Sequence, residues 1–281
     1  MRTMWRFDRK RRTLMRNAGA AAATAALGPL IISERTTAAL ASEASGQRGH
    51  FMSARAQTRT SNIQGTNLCY RRDKFPGGGP RSWADFWDIA KFPGTRGLCI
   101  NDPPRTLIFA LLADGVPTDR LYPLDIDRAF KKLDQIKPHI KVWWREGNQS
   151  QQLIRDGEVD MMSIWNGRAA ELAQQGVPVE LIWNGAVRST STWCVVKGAP
   201  NAKLAWEFIK FASQAKPQAE FNKRLFYGPI DPAAFAFIPD DIAVQLPTHS
   251  ANLAVSIRED DEWEADRIVA IEERFRQWLA S

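Results

Sequence analysis

From Asn67 onward the chain alternates short apolar runs with stretches whose apolar residues recur every three or four positions. Strand-length runs interleaved with helical patterns of this kind can bury both sets of apolar faces only as a layered α/β fold. Ser82 is placed to cap a short helix that buries Trp83, Phe86 and Trp87. Gly97–Ile100 reads as a strand that ends in a turn-forming loop, Asn101-Asp102-Pro103-Pro104. Asp125 can cap a helix running to about Lys137 with Ala129, Phe130, Leu133 and Ile136 on one face. Strands are expected over Lys141–Trp144, Val159–Trp165, Val179–Trp183 and Thr192–Val196. The intervening helices carry Leu153 and Ile154, then Ala169–Gln175, and later Leu204, Phe208 and Phe211. A last helix over about Glu262–Leu279 buries Trp263, Ile268, Ile271, Phe275 and Trp278.

The segment before this pattern is of another kind. Residues 9–16 are basic, Ala18–Ile32 is a weakly apolar run, and Ala39-Leu40-Ala41 is a small-residue cleavage site. That order is an export signal, and the pair Arg11-Arg12 followed by Leu14, Met15 and Arg16 is similar to a twin-arginine signal. Residues 1–41 are therefore expected to be a removable leader and 42–65, which lack any apolar period, a linker. The formal net charge of +7 follows this division. Residues 1–60 hold 11 Lys+Arg against 3 Asp+Glu, and the remaining 221 residues hold 27 against 28. A neutral body offers no basic surface to nucleic acid, so that partner class is set aside.

Three cysteines without CxxC spacing and three scattered histidines offer no zinc cage, and no metal or other cofactor is expected. The sequence also lacks a nucleophile elbow, an HExxH pair, a phosphate-binding loop with its lysine and a dinucleotide fingerprint, which argues against an enzyme.

Five stretches, taken in order, carry a resemblance. They are Pro76–Gly94 (PGGGPRSWADFWDIAKFPG), Ala110–Ile140, Gln149–Arg168 (QSQQLIRDGEVDMMSIWNGR), Lys197–Ser213 and Phe226–Phe235. Together they resemble the periplasmic polyamine-binding proteins of ABC importers, within the bacterial extracellular solute-binding proteins. The resemblance implies a type II periplasmic-binding-protein fold, two α/β lobes with a solute held between them, delivered to an inner-membrane ABC permease by a periplasmic monomer. It implies that 66–189 form the second lobe and 190–281 the returning part of the first. It also implies opening strands for which 42–65 leave too little room, so the first lobe is expected to be incomplete and a non-binding remnant is an alternative reading.

The same resemblance implies a ligand site. Trp165 is its stacking aromatic, Tyr227 and Glu264 belong to the returning segment, and Asp102 receives an amine. Each has a plainer reading: Trp165 as core, Asp102 as a turn former before two prolines, Glu264 as part of a solvated helix face. Ser191 and Arg105 stand where polyamine binders carry carboxylates. A cation in place of a carboxylate disfavours a cationic ligand, so a non-polyamine solute is an equal reading. For the fold, Trp83, Phe86, Leu111, Phe130, Leu133 and Leu172 are expected in the core of the lobe. Phe208, Phe211, Phe221, Trp263, Phe275 and Trp278 are expected to lack strands to cover them. If Arg11 and Arg12 direct export, replacing both with Lys leaves precursor in the cytoplasm; unchanged recovery from the periplasm by cell fractionation contradicts the signal.

Overall fold

A computed structural model describes residues 58–281. The leader, with Arg11, Arg12 and Ala39–Ala41, lies outside the described residues, as does the linker up to residue 57. Six strands among the described residues form one sheet: β1 Thr58–Arg71, β2 Arg96–Cys99, β3 Ile140–Trp144, β4 Met161–Trp165, β5 Val179–Cys194 and β6 Ile257–Arg258. Their order across the sheet is β3-β2-β4-β1-β5-β6. β2 runs parallel to both β3 and β4, β1 is antiparallel to β4, and β6 is parallel to β5. Strand β1 begins at Thr58, so residues 58–65 are sheet where the sequence suggested linker. Asn62, Ile63 and Gln64 show no apolar alternation because the strand is held by backbone pairing, as in the Ile63–Gly228 bridge.

The first helices follow their capping residues. Ser82 accepts a hydrogen bond from the Asp85 N–H at the start of α1 (Trp83–Trp87), and Asp125 does the same for Arg128 at the start of α3 (Ile126–Ile136). Between them lies α2 (Pro103–Ala113), which begins at the two prolines of the loop expected over Asn101–Pro104 and for which the sequence carries no helical signal. Its two prolines occupy the first turn, where no intrahelical N–H is required, and Pro103 through Leu111 are all buried. A helix apolar on every side has no period to betray it. Helices α4 (Gly147–Arg155) and α5 (Asn166–Gln174) flank β4 in sequence. Strand β5 is continuous where two strands were expected; the polar run from Arg188 to Thr192 interrupts the apolar pattern and not the extended backbone.

By compactness the described residues divide into two units, one of Ser61–Ser191 with Ala212–Ser281, the other of Thr192–Phe211 with Thr58–Thr60. In the smaller unit the end of β5 leads to α6 (Ala202–Ala212), and the ring of Trp193 meets that of Phe208 edge-on at 5.6 Å. Phe208 and Phe211 are exposed. In the larger unit follow α7 (Ala215–Leu225), α8 (Asp240–Ala243), α9 (Ser250–Val255), α10 (Asp261–Ala265) and α11 (Ile268–Ala280). The last two replace the single terminal helix of the sequence reading. Phe221 on α7 is exposed, as expected. Phe275 and Trp278 on α11 are covered after all: Phe275 lies 6.2 Å from Phe130 of α3, and Trp278 lies 5.6 Å from Trp143 of β3. Trp263 meets Tyr122 at 5.5 Å. Helix α11 covers elements the chain does encode.

Trp83, Phe86, Leu111, Phe130 and Leu133 share one buried cluster, while Leu172 packs in a second with Trp144 and Ile164. Trp83 stacks on Phe109 at 3.8 Å between ring centres and donates its indole N–H to the Gly185 carbonyl of β5 at 2.8 Å. It thereby joins α1 and α2 to the sheet. Trp83→Ala is expected to destabilise the chain by about 3–5 kcal/mol; a urea midpoint within error of wild type would show that Trp83 is not a keystone of this core.

Candidate ligand site around Arg105 and Trp165

All the pairs and rings below lie within the larger unit. Asp102 precedes α2 and Arg105 is one turn into it, on the same helix face. The Arg105 guanidinium is 10% exposed and contacts Asp102 at 2.5 Å. It grips both carboxylate oxygens of Glu259, through Nε and through Nη2, the latter at 2.9 Å, and its Nη1 lies 3.5 Å from the Thr66 hydroxyl of β1. Glu259, 6% exposed, directly follows β6, whose Ile257 and Arg258 pair with Val187 and Arg188 of β5. The side chain of Asp102 makes no capping hydrogen bond to α2 and is ion-paired with Arg105 instead.

Glu264, on α10, belongs to the same charge field. It is partly buried rather than on a solvated face, and it accepts a hydrogen bond from the Tyr122 hydroxyl at 2.5 Å. Asp260 caps α10 by accepting from the Trp263 N–H at 3.0 Å, which fixes the helix start three residues ahead of that glutamate. Burial, followed by the charge of Glu259, pushes the Glu264 carboxyl up to about 8. Burial also pushes Glu259 up to about 7 against the opposing pull of Arg105. Burial first, then the Glu264 charge, raises the Tyr122 phenol as well. Asp102 and Glu259 thus pair with Arg105, while Glu264 is hydrogen-bonded by Tyr122 at the edge of the same charge field.

Trp165 ends β4 directly across from Thr66 of β1, one residue pair away from the arginine cluster. Its ring meets that of Trp144 edge-on at 5.7 Å, and a Cβ at Gly147 would come within 2.8 Å of it. The residue after it, Asn166, accepts from the Gly65 N–H at 2.8 Å and donates to the Phe226 carbonyl at 2.5 Å. This clamp sets the position of Tyr227, whose ring would lie 3.0 Å from a Cβ at Gly167. Arg168 comes next. Its Nε would lie 3.0 Å from a Cβ at Gly147, its Nη1 donates to Gln151 at 3.3 Å, and it sits 3.8 Å from Glu171. The side chain is 38% exposed. Burial raises the Tyr227 phenol while the Arg168 charge opposes it, which puts the two in electrostatic reach.

The structure therefore brings Asp102 and Glu264 into one cluster, ties Trp165 to it through Thr66, and sets Tyr227 beside Gly167. Ser191 lies on β5, three residues beyond Arg188, and no hydrogen bond among the described residues joins it to the cluster. Arg168, Glu259, Tyr122 and Thr66 were not singled out in the sequence as site residues. Arg168 stood inside the WNGR motif; nothing local distinguishes Glu259, whose partner is 154 positions away.

The family model described as bacterial extracellular solute-binding protein matches residues 61–248. The chain belongs to that family. A gamma-aminobutyric acid-binding protein of Pseudomonas aeruginosa is 42% identical over 206 residues, covering 72% of this chain and 58% of that protein. A spermidine/putrescine-binding periplasmic protein of Salmonella typhimurium is 23% identical over 188 residues, covering 66% and 52%. The chain thus spans little more than half the length of these curated relatives. Among solved structures, an ABC transporter substrate-binding protein from Bradyrhizobium japonicum superposes with a TM-score of 0.76 at 38% identity, covering 93% of this chain and 80% of that one. The fold class is α/β, of the type II periplasmic-binding-protein kind, and the family is one of solute-binding proteins rather than enzymes. The likeness to polyamine binders, on which the sequence reading leaned, is the more distant one.

Glu264 and Glu259 titrate above the ordinary carboxylate value of 4.5. A folded carboxyl that holds its proton more tightly than the unfolded one gives stability that is full below about 4.5 and lost as pH rises through the folded values of about 7 and 8. Stability is expected to fall across that window, and Glu264→Gln to make the fall shallower. Denaturant midpoints of both proteins between pH 5 and 9 check this; identical slopes contradict the assignment.

Proposed function

We propose that this chain is the solute-binding component of an ABC importer, exported by the twin-arginine route to the periplasm, and that its solute is a small zwitterion of the γ-aminobutyrate class rather than a polyamine. The observation that carries this reading is a wall of two opposite polarities. A half-exposed arginine, Arg168, stands beside the aromatic rings of Trp165 and Tyr227, and a carboxylate-rich cluster lies one strand pair away. A solute with an ammonium at one end and a carboxylate at the other satisfies both. A polyamine has nothing for Arg168 to bind and is repelled by it.

In this reading Arg168 takes the carboxylate. The rings of Trp165 and Tyr227 cover the methylenes and face the ammonium, whose charge draws the proton off Glu264 and is met by the carboxylate so formed, with Asp102 adding attraction from behind Arg105. Ser191 contributes a neutral hydroxyl from β5. The 42% identity to a gamma-aminobutyric acid-binding protein supports the class of solute. Residues 66–189 act as one lobe and 190–281 as the returning segment of the other, working as a monomer that hands its solute to an inner-membrane permease.

Isothermal calorimetry with the full chain tests this reading. γ-Aminobutyrate is expected to bind more tightly than putrescine or spermidine. Trp165→Ala is expected to weaken that binding by about 1–3 kcal/mol, as for loss of a stacked aromatic. Arg168→Ala is expected to erase the preference for γ-aminobutyrate over butylamine, its analogue without the carboxylate. Tighter binding of a polyamine, or folded protein that binds none of these, overturns the proposal.

A further inference from the structure

The arginine cluster is more crowded with acid than one guanidinium can neutralise. Asp102, Glu259 and Glu264 lie within electrostatic reach of one another, and among the described residues Arg105 is the cation they surround. Arg105 enters from α2, whereas its carboxylates come from three places: the residue before α2, the residue after β6, and α10. Its contacts are those by which a carboxylate pocket holds a cationic ligand: a two-pronged grip on Glu259, a close ion pair with Asp102, and a hydroxyl from Thr66.

We propose that Arg105 is a specificity-determining residue: a tethered cation that fills the carboxylate pocket of Asp102 and Glu259 and so bars solutes bearing a second amine. This rests on the reading of the neighbouring wall as an amine-accepting one. A solute's first ammonium draws the proton off Glu264 into solvent and is met by the carboxylate so formed. A second ammonium would have to displace a guanidinium held by several charge-assisted hydrogen bonds. Because that guanidinium is attached to the chain, its effective concentration at the pocket exceeds that of a free solute amine. The pocket thus accepts one amine per solute, and the size of the ion Arg105 supplies, a planar guanidinium on a three-carbon stem, sets what could replace it.

The test removes the tether and offers free cations. Arg105→Ala is expected to gain at least tenfold in affinity for putrescine relative to wild type by calorimetry. Its thermal midpoint is expected to rise with millimolar methylguanidinium or putrescine, where that of wild type does not. Arg105→Lys, which keeps a cation in the pocket, is expected to go on excluding putrescine. If Arg105→Ala is poorly folded by itself, recovery of its cooperative unfolding transition with methylguanidinium, and not with equal concentrations of the larger tetramethylammonium, supports the proposal. It is overturned if neither small cation binds, stabilises or restores Arg105→Ala, or if Arg105→Lys gains putrescine binding as Arg105→Ala does. A wild-type protein that fails to bind γ-aminobutyrate sinks the reading of the solute and leaves the methylguanidinium result to decide the role of Arg105.

Discussion

The ion pair between Arg105 and Glu259 joins residues 154 positions apart, and the candidate site is organised around it. Burying either charge alone is prohibitive, because a carboxylate or guanidinium taken out of water loses several kcal/mol of hydration. Each is tolerated because the other is present, and deleting one partner of such a pair commonly costs about 3–5 kcal/mol. The pair therefore requires α2 and the end of β6 to meet. Once they meet, Asp102 is drawn onto Arg105, Thr66 of β1 falls beside it, and Glu264 is buried in an acidic field, where burial first and the Glu259 charge second keep its carboxyl protonated further up the pH scale.

The aromatic wall obeys another constraint, that buried amides must be matched. Asn166 satisfies the Gly65 N–H and the Phe226 carbonyl at once, tying β1 to the segment that delivers Tyr227. Trp165, immediately before it in the chain, thus inherits a fixed position from its neighbour's hydrogen bonds. The wall is rigid through backbone accounting, and the charged cluster through ion pairing. A solute bridging the two would touch groups whose places are already set, which lowers the ordering cost of binding.

What could be read from the sequence divides along the same lines. Local signals were legible: Ser82 and Asp125 cap the helices they were expected to cap, and β2, β3 and β4 lie where the apolar runs indicated. Trp83, Phe86 and Leu133 are in the core as periodicity suggested. Long-range pairing was not legible. Nothing near Glu259 announces a partner in α2, and the prolines that open α2 read as a loop because a helix buried all round shows no amphipathic stripe. For the same reason Phe275 and Trp278 looked stranded, when a helix at one end of the sequence packs on Phe130 and Trp143 far upstream. The family resemblance named Trp165 and Tyr227 as site residues; its motifs leaned toward polyamines, while the single positions Ser191 and Arg105 already pointed away from them.

Gly147 lies under Trp165 and Gly167 under Tyr227, each with room for hydrogen and not for a methyl group. Every substitution a single base change can make in a glycine codon adds at least a Cβ. At these two positions the smallest heritable step is therefore already a displacement of a ring or of the Leu225 carbonyl, and no graded series of variants leads away from the present wall. On the proposed reading, descendants of this gene would retune their solute through Arg105, Arg168 or Ser191, whose side chains can be shortened or exchanged stepwise. The spacing of the two rings is expected to change abruptly or to stay as it is.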